Sequence, residues 1–158
     1  MILMKNKKTL VFFLALPVLT GAVSALISSD SMKQFASLNQ PPLSPPGWLF
    51  PVVWTVLYIL MGAASYLVYE SDAPKREISR ALTYYGLQLF FNFFWSIFFF
   101  NFGLYYFSFA WLIAMLVLII ITTVMFYSIN KTAAYLMIPY IIWVVFAGYL
   151  NLGVALLN

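Results

Sequence analysis

The sequence predicts an all-α membrane protein that forms a single bundle of five transmembrane helices. Of its 158 residues, 65% are hydrophobic, 20% are aromatic and only 8% are charged. Soluble domains are about 45–50% apolar and about 25% charged, so a soluble fold could not cover this much apolar surface. The charged residues also divide the chain into uncharged runs of about 20 residues, the length that crosses ~30 Å of hydrocarbon. Disorder is excluded because it requires the opposite composition.

The five predicted spans are residues 9–29, 48–69, 81–102, 104–128 and 132–157. Polar or charged segments separate them: Asp30 to Gly47, Glu70 to Arg80, a tight turn at Asn101–Gly103, and Asn130-Lys131. The runs are apolar on every side, whereas strands of a membrane barrel alternate. No composition shift or repeat divides the chain, so residues 1–158 are predicted to form one domain.

The first run has a second interpretation as a cleavable signal peptide. Lysines precede it, and Ala22-Val23-Ser24-Ala25 resembles a cleavage site. However, residues 9–29 are longer than the ~7–15 apolar residues of a signal peptide, and cleavage would leave only four helices. We therefore expect this run to be retained as the first span.

The basic residues predict the orientation of the spans. With five spans, one side of the membrane holds seven basic residues: Lys5, Lys7, Lys8, Lys75, Arg76, Arg80 and Lys131. The other side holds only Lys33. This asymmetry predicts a cytoplasmic N-terminus, with the first loop and the C-terminus outside. The net charge of +4 is then a topology signal, and no nucleic-acid partner is expected.

Missing residue types exclude most catalytic chemistry. The chain has no Cys and no His, and its only carboxylates, Asp30, Glu70, Asp72 and Glu77, lie outside the apolar runs. Transition-metal sites, Ser-His-Asp triads and carboxylate pairs therefore lack their components. Ion-coupled pumping usually needs ionisable groups at membrane depth, which these runs do not contain. We predict no metal and no required cofactor.

The most distinctive segment is the proline- and tryptophan-rich stretch from Gln40 to Tyr58. Its prolines keep the loop extended, and Pro51 fits the first turn of the second helix, where its missing N–H costs little. Trp48 is expected at the membrane interface. Trp54 and Tyr58 are four residues apart and therefore share one helix face. This pattern fits either a rigid loop with an aromatic belt or one wall of a binding site.

Two further helices carry stripes of polar and aromatic residues. On the third helix the stripe is Gln88, Asn92, Trp95 and Phe99. On the fifth helix Pro139-Tyr140-Ile141-Ile142-Trp143 leads to Phe146, Ala147, Leu150 and Asn151. The amides fit either hydrogen bonds between helices or contacts to a ligand. From these residues alone, hydrogen bonds between helices are favoured for both amides. The tryptophans fit core packing or the walls around a flat ligand.

Together these segments, in matching order from Leu38 to Asn151, resemble the TspO family. These are the tryptophan-rich sensory proteins related to the mitochondrial translocator protein, or peripheral benzodiazepine receptor. The resemblance implies a five-helix bundle, often a homodimer, in a bacterial cytoplasmic membrane. It also implies binding of tetrapyrroles such as protoporphyrin IX, and of lipophilic drugs, in a pocket under the first loop. The predicted ligand-binding residues are Pro45, Trp54, Tyr58, Gln88, Asn92, Trp95, Trp143, Phe146, Ala147 and Leu150. With this resemblance we expect Asn92 to contact the ligand, because its amide would otherwise have at best water or Gln88 as a partner.

Two other functions remain open at this point. Some relatives promote light-dependent breakdown of porphyrin, for which Trp54 and Trp143 would be the oxidisable residues here. The chain could instead be a structural partner that tunes another membrane complex, which would need no pocket. A carrier role would use the same pocket as a receptor or sensor.

The chain departs from the family pattern in its first loop and third helix. Gln34 and Phe35 stand where relatives often carry a Trp-Tyr pair, and Ile97 replaces a frequent proline. Cholesterol binding is not predicted, because the segment from Leu150 to Leu157 has neither a tyrosine nor a basic residue.

Overall fold

The computed structural model describes residues 6–158, except for the side chain of Gln34, and its regular structure is helical throughout this range. The helices are α1 (Lys7–Phe35), α2 (Leu49–Tyr69), α3 (Lys75–Ser96), α4 (Tyr105–Ile129) and α5 (Lys131–Leu157). A π-helical turn, Ile97–Asn101, continues α3. The predicted all-helical class and the count of five long helices are confirmed for the described residues.

Four of the helices described here, α1, α2, α4 and α5, are long and apolar enough to cross a membrane. Helix α3 is not among them. Its first turns carry Lys75, Arg76, Glu77 and Arg80, and the π-helical turn separates its last apolar residues from the α-helical part. Length and composition therefore support four of the five predicted spans.

Two predicted boundaries differ from the structure. Helix α1 continues to Phe35 rather than ending at residue 29, and α3 begins at Lys75 rather than at residue 81. Charged residues show where a chain leaves hydrocarbon, but a helix can continue into water through polar turns. Pro74 sets the start of α3 because it adopts φ −55°, ψ 133° outside the helix. The two loops are consequently shorter than predicted, covering residues 36–48 and 70–74.

The helices pack in the closed ring order α1–α2–α5–α4–α3. Ring neighbours α1 and α3 run in the same direction, since Ser24 contacts Ser96 and Asn101 bonds to Ile27. The other neighbours are antiparallel, as in the stacking of Phe91 on Trp111 with ring centroids 4.1 Å apart. The residue 36–48 loop, called loop 1 below, and the end of α5 therefore share one end of the bundle.

Helices α1 and α2 approach closely at two glycines. A Cβ on Gly62 would lie 2.6 Å from the Phe13 carbonyl oxygen, and one on Gly21 would overlap the Tyr58 ring. The absence of side chains at these positions lets the two backbones approach. Away from loop 1 the bundle has a dense core that includes Met61 and Phe126. Near loop 1 the helices separate around a cavity.

Candidate functional site

A cavity of about 430 Å³ lies beneath loop 1, between α1, α2, α3 and α5. Its volume is within the range of ~300–1,000 Å³ that is typical of small-molecule sites. Eight of the ten predicted site residues line it: Pro45, Trp54, Tyr58, Asn92, Trp95, Trp143, Ala147 and Leu150. The structure therefore brings together residues from four separate segments of the sequence.

The other two predicted residues, Gln88 and Phe146, do not line the cavity. Gln88 is completely buried one helical turn deeper, where its side-chain oxygen accepts a hydrogen bond from Tyr140 at 2.7 Å. Phe146 packs behind the wall, with its ring centroid 5.6 Å from that of Trp143. Phe146 thus contacts a lining residue, whereas the Gln88 partner Tyr140 itself lies outside the lining.

Aromatic rings form the walls of the cavity. On one wall Trp54 stacks on Tyr58, with centroids 5.6 Å apart and planes 28° from parallel. On another, Trp95 stacks on Phe99 at 5.4 Å. The α5 wall carries Trp143, which meets the Phe50 ring edge-on at 5.9 Å. Such pairs fix the planes of the indoles, which leaves flat apolar faces for a ligand.

A chain of hydrogen bonds forms the floor of the cavity and joins α2, α3 and α5. The Tyr58 hydroxyl donates to Asn92 Oδ1 at 2.6 Å. Asn92 Nδ2 donates to the Tyr140 hydroxyl at 2.9 Å, and Tyr140 in turn donates to Gln88. The expectation that Asn92 has at best water or Gln88 as a partner is therefore wrong. Two tyrosines from neighbouring helices bond to its amide.

The other polar side chains of the walls are also bonded within the protein. Trp95 Nε1 donates to Asn151 Oδ1 at 3.0 Å, and Asn151 Nδ2 donates to the Tyr105 carbonyl at 2.8 Å. Ser24 hydrogen-bonds to Ser96 across α1 and α3. Trp143 differs, because its buried Nε1 has no hydrogen-bond partner within the described structure. An unpaired buried donor is costly, and this nitrogen has almost no accessible surface, so it is not presented to the cavity.

Loop 1 covers the cavity and is attached to the end of α5. The Tyr149 hydroxyl donates to the Pro42 carbonyl at 2.7 Å. The Asn39 backbone N–H donates to Asn158 Oδ1 at 3.0 Å, and Asn158 Nδ2 donates back to the Asn39 carbonyl at 2.8 Å. Pro41 packs so closely on Gly153 that a Cβ there would lie 2.5 Å from its ring. The proline-rich stretch, which was predicted to form a rigid loop, thus covers the cavity.

None of the predicted site residues lies on the first helix, yet α1 forms one side of the cavity. Its contribution includes Gly21, Ser24, Ala25 and Met32. The spacing of the small residues at 21, 24 and 25 is the one sequence signal for a close helix face. That signal is weak, because small residues serve packing in most membrane helices.

Similarity to known proteins shows the family of this chain. Residues 13–157 match the model of the TspO/MBR family. The chain is 35% identical to the tryptophan-rich protein TspO of Chlorobaculum tepidum over 124 residues, 78% of each chain. It is 35% identical to the protein CrtK of Rhodobacter capsulatus, covering 87% of this chain and 85% of that one. It is also 32% identical to the translocator protein of Bos taurus, with 88% and 83% covered. With its apolar helices, the chain is a multi-pass membrane protein that belongs to the TspO/MBR family.

Proposed function

We propose that this protein is a membrane receptor or sensor that binds tetrapyrroles, such as protoporphyrin IX, and lipophilic drug-like molecules. The cavity beneath loop 1 carries the proposal. Its aromatic walls suit a flat hydrophobic ligand, and a few polar side chains such as Asn92 and Asn151 lie among them. A few polar groups in a mostly apolar pocket are typical of small-molecule sites. Relatives named sensory protein and translocator protein agree with ligand recognition or carriage in a membrane.

A dark titration of the purified protein with protoporphyrin IX tests this function. We expect saturable binding, followed by the Soret band and by quenching of tryptophan fluorescence. Trp143→Ala should weaken binding because it removes one aromatic wall of the cavity. Trp48→Ala is the matched control, because Trp48 is 67% exposed and lies outside the cavity lining. Absence of saturable binding would contradict the proposal and favour a structural partner of another membrane complex.

Light-dependent porphyrin breakdown is the second candidate function. The observation that favours it is that both proposed oxidisable residues, Trp54 and Trp143, lie in the cavity lining. Both indoles would face a bound macrocycle, and no general acid or base is needed for this chemistry. Illumination of the dark complex separates the two functions: loss of the porphyrin spectrum with turnover supports breakdown, and a stable spectrum supports sensing or carriage.

We infer that α3 also crosses the membrane, in addition to the four helices that are long and apolar enough to do so. The whole chain is then one five-span domain in a bacterial cytoplasmic membrane. Helical structure continues from Lys75 through the π-helical turn to Asn101, and no charged residue follows Arg80 within this segment. Basic residues lie in the first turns of the helices that begin at the end opposite loop 1: Lys7, Lys8, Lys75, Arg76, Arg80 and Lys131. Lys5, also used for the orientation, lies outside the described residues. This distribution supports a cytoplasmic N-terminus.

A reporter that is active only outside the cytoplasm tests the orientation. Fused after Asn158 it should be active, and inserted between Glu70 and Pro74 it should be inactive. The opposite pattern would reverse the proposed topology. A homodimer is a further expectation from the family resemblance, and cross-linking in native membranes would detect it.

A further inference from the structure

Loop 1 exposes two large apolar side chains on the outside of the bundle. Leu43 is 84% exposed and Trp48 is 67% exposed, and neither of them lines the cavity below. The loop also contains no charged residue from Ala36 to Trp48. Surfaces that face water are normally rich in charged residues and poor in exposed large apolar ones. The outer surface of loop 1 is therefore suited to an apolar surrounding rather than to bulk water.

The backbone around Leu43 shows that the exposure of its side chain is built into the fold. Among the described residues other than glycine, Leu43 alone has a positive φ, at 67°. Leucine adopts this left-handed conformation at a cost that glycine avoids, so glycine would serve better if the position only had to turn the chain in water. Neighbouring bonds fix the turn, because the Ser44 hydroxyl donates to the Pro41 carbonyl at 2.7 Å and the Pro42 carbonyl accepts from Tyr149. The leucine is thus held on the outside of the loop.

Both side chains continue the outer apolar surfaces of two neighbouring helices. Exposed apolar residues form one stripe along α2, at helical spacing: Trp48, Val52, Val56 and Ile59. A second stripe runs along α5: Ile138, Ile142, Val145 and Tyr149. The Tyr149 hydroxyl bonds to Pro42, the residue before Leu43, so Leu43 follows directly on the α5 stripe. Helices α2 and α5 are long and apolar enough to span a membrane, so these stripes face lipid and end near the membrane interface at loop 1.

We propose that loop 1 is docked on the bilayer, with Leu43 and Trp48 inserted into the membrane interface on the loop 1 side. The partner is the boundary between lipid headgroups and acyl chains, where tryptophan and aliphatic side chains are favourably placed. Loop 1 then has two attachments, its hydrogen bonds to α5 and its contact with lipid, and both hold it over the cavity. The inference requires only that α2 and α5 cross the membrane, so it does not depend on which ligand the cavity binds.

The absence of cysteine from the chain allows a direct test of depth. Leu43→Cys, Trp48→Cys and a control, Lys33→Cys, are each labelled with the fluorophore NBD in nanodiscs of zwitterionic lipid. Lys33 is the matched control because it lies at the same end of the bundle, with a side chain that is 80% exposed and paired with Asp30. We expect lipid with a spin label near the headgroup to quench the labels at positions 43 and 48 at least threefold more strongly than the label at position 33. Aqueous iodide should quench them in the reverse order.

A second comparison tests whether the lipid contact holds loop 1 in place. Leu43→Asn introduces a polar side chain that tolerates the left-handed backbone, whereas Leu43→Met keeps an apolar side chain of similar size. The readout is hydrogen exchange of the Asn39 amide, which donates to Asn158 on α5. In nanodiscs we expect this exchange to be at least threefold faster in Leu43→Asn than in the wild type, and within about twofold of the wild type in Leu43→Met.

Each contrary outcome overturns the inference in a distinct way. Iodide quenching at position 43 equal to that at position 33 would place loop 1 in water. Protection of position 43 from both quenchers would mean that protein, either a second copy of this chain or another partner, covers it instead of lipid. Equal exchange rates in Leu43→Asn and Leu43→Met would show that the lipid contact does not hold the loop. Failure of porphyrin to bind would affect none of these readouts, so the proposed function and this inference are tested separately.

Discussion

Replacement of Asn92 by alanine should destabilise the helix bundle more than it weakens ligand binding. In the structure the Asn92 amide joins Tyr58 of α2 to Tyr140 of α5 through hydrogen bonds of 2.6 and 2.9 Å. Asn92→Ala breaks both of them. Because the Asn92 oxygen and one of its two amide hydrogens are already bonded within the protein, a ligand can use at most the second hydrogen, so it loses little when the amide is removed.

The expected magnitude follows from measured hydrogen bonds between membrane helices. Each contributes ~0.6 kcal/mol on average and up to about 1.7 kcal/mol. Loss of two such bonds therefore lowers the unfolding free energy by about 1–3 kcal/mol. Tyr58→Phe breaks one of them and should cost about half as much. The double variant should cost less than the sum of the single variants, because both remove the same Tyr58–Asn92 bond.

Unfolding by SDS, titrated from one mild detergent, measures these free energies for wild type, both single variants and the double variant. Thr55→Val is the matched control, because the Thr55 hydroxyl is exposed and bonds only to Pro51 in its own helix. It should change the unfolding free energy by less than about 0.5 kcal/mol. The affinity for an isoquinoline-carboxamide, measured in parallel, should stay within about threefold of wild type in Asn92→Ala, which corresponds to ~0.6 kcal/mol.

The opposite combination of results would refute this reasoning. A five- to tenfold loss of affinity with an unchanged unfolding free energy would mean that Asn92 binds the ligand directly. Additive effects of Asn92→Ala and Tyr58→Phe on stability would mean that the bond between them contributes nothing measurable.

Three further outcomes follow from the structure. Gly62→Val should lower the unfolding free energy by about 1–3 kcal/mol, because α1 backbone atoms occupy the space that its side chain would need. Gly86→Ala, at an open position, should not lower the unfolding free energy. Equal effects of the two substitutions would contradict the close approach of α1 and α2. Asn158→Ala should raise both the association and dissociation rates of a ligand in stopped-flow measurements, because it releases loop 1, and unchanged rates would show that this contact does not limit exchange. If porphyrin breakdown operates, Trp54→Phe and Trp143→Phe should slow the light-driven loss of porphyrin while dark binding persists. Porphyrin loss equal to that with boiled wild-type protein would show that the folded protein does not take part in the reaction.

The helices and part of the cavity lining could be predicted from sequence because both depend on local patterns. Charged residues interrupt the apolar runs near the helix ends, and Trp54 and Tyr58 share a face through helical spacing alone. A stripe such as Asn92 and Trp95 identifies residues on one side of a helix. Eight of the ten predicted residues consequently line one cavity.

What each stripe faces depends on contacts between distant segments, so sequence periodicity did not reveal it. Gln88 and Asn92 share a helix face, yet one is sealed in the core and the other lies at the cavity floor. Only the assembly of the whole bundle brings Tyr58 of α2 and Tyr140 of α5, a helix that is not adjacent to α3, to the Asn92 amide. This changes the expected role of Asn92 from ligand contact to helix contact. The sequence by itself determined an all-helical membrane chain with two aromatic and polar stripes, because composition and helical period suffice for that. The tertiary structure decided which polar groups are already bonded and that α1 closes one side of the cavity, because hydrogen bonding and burial depend on how neighbouring helices are rotated and aligned.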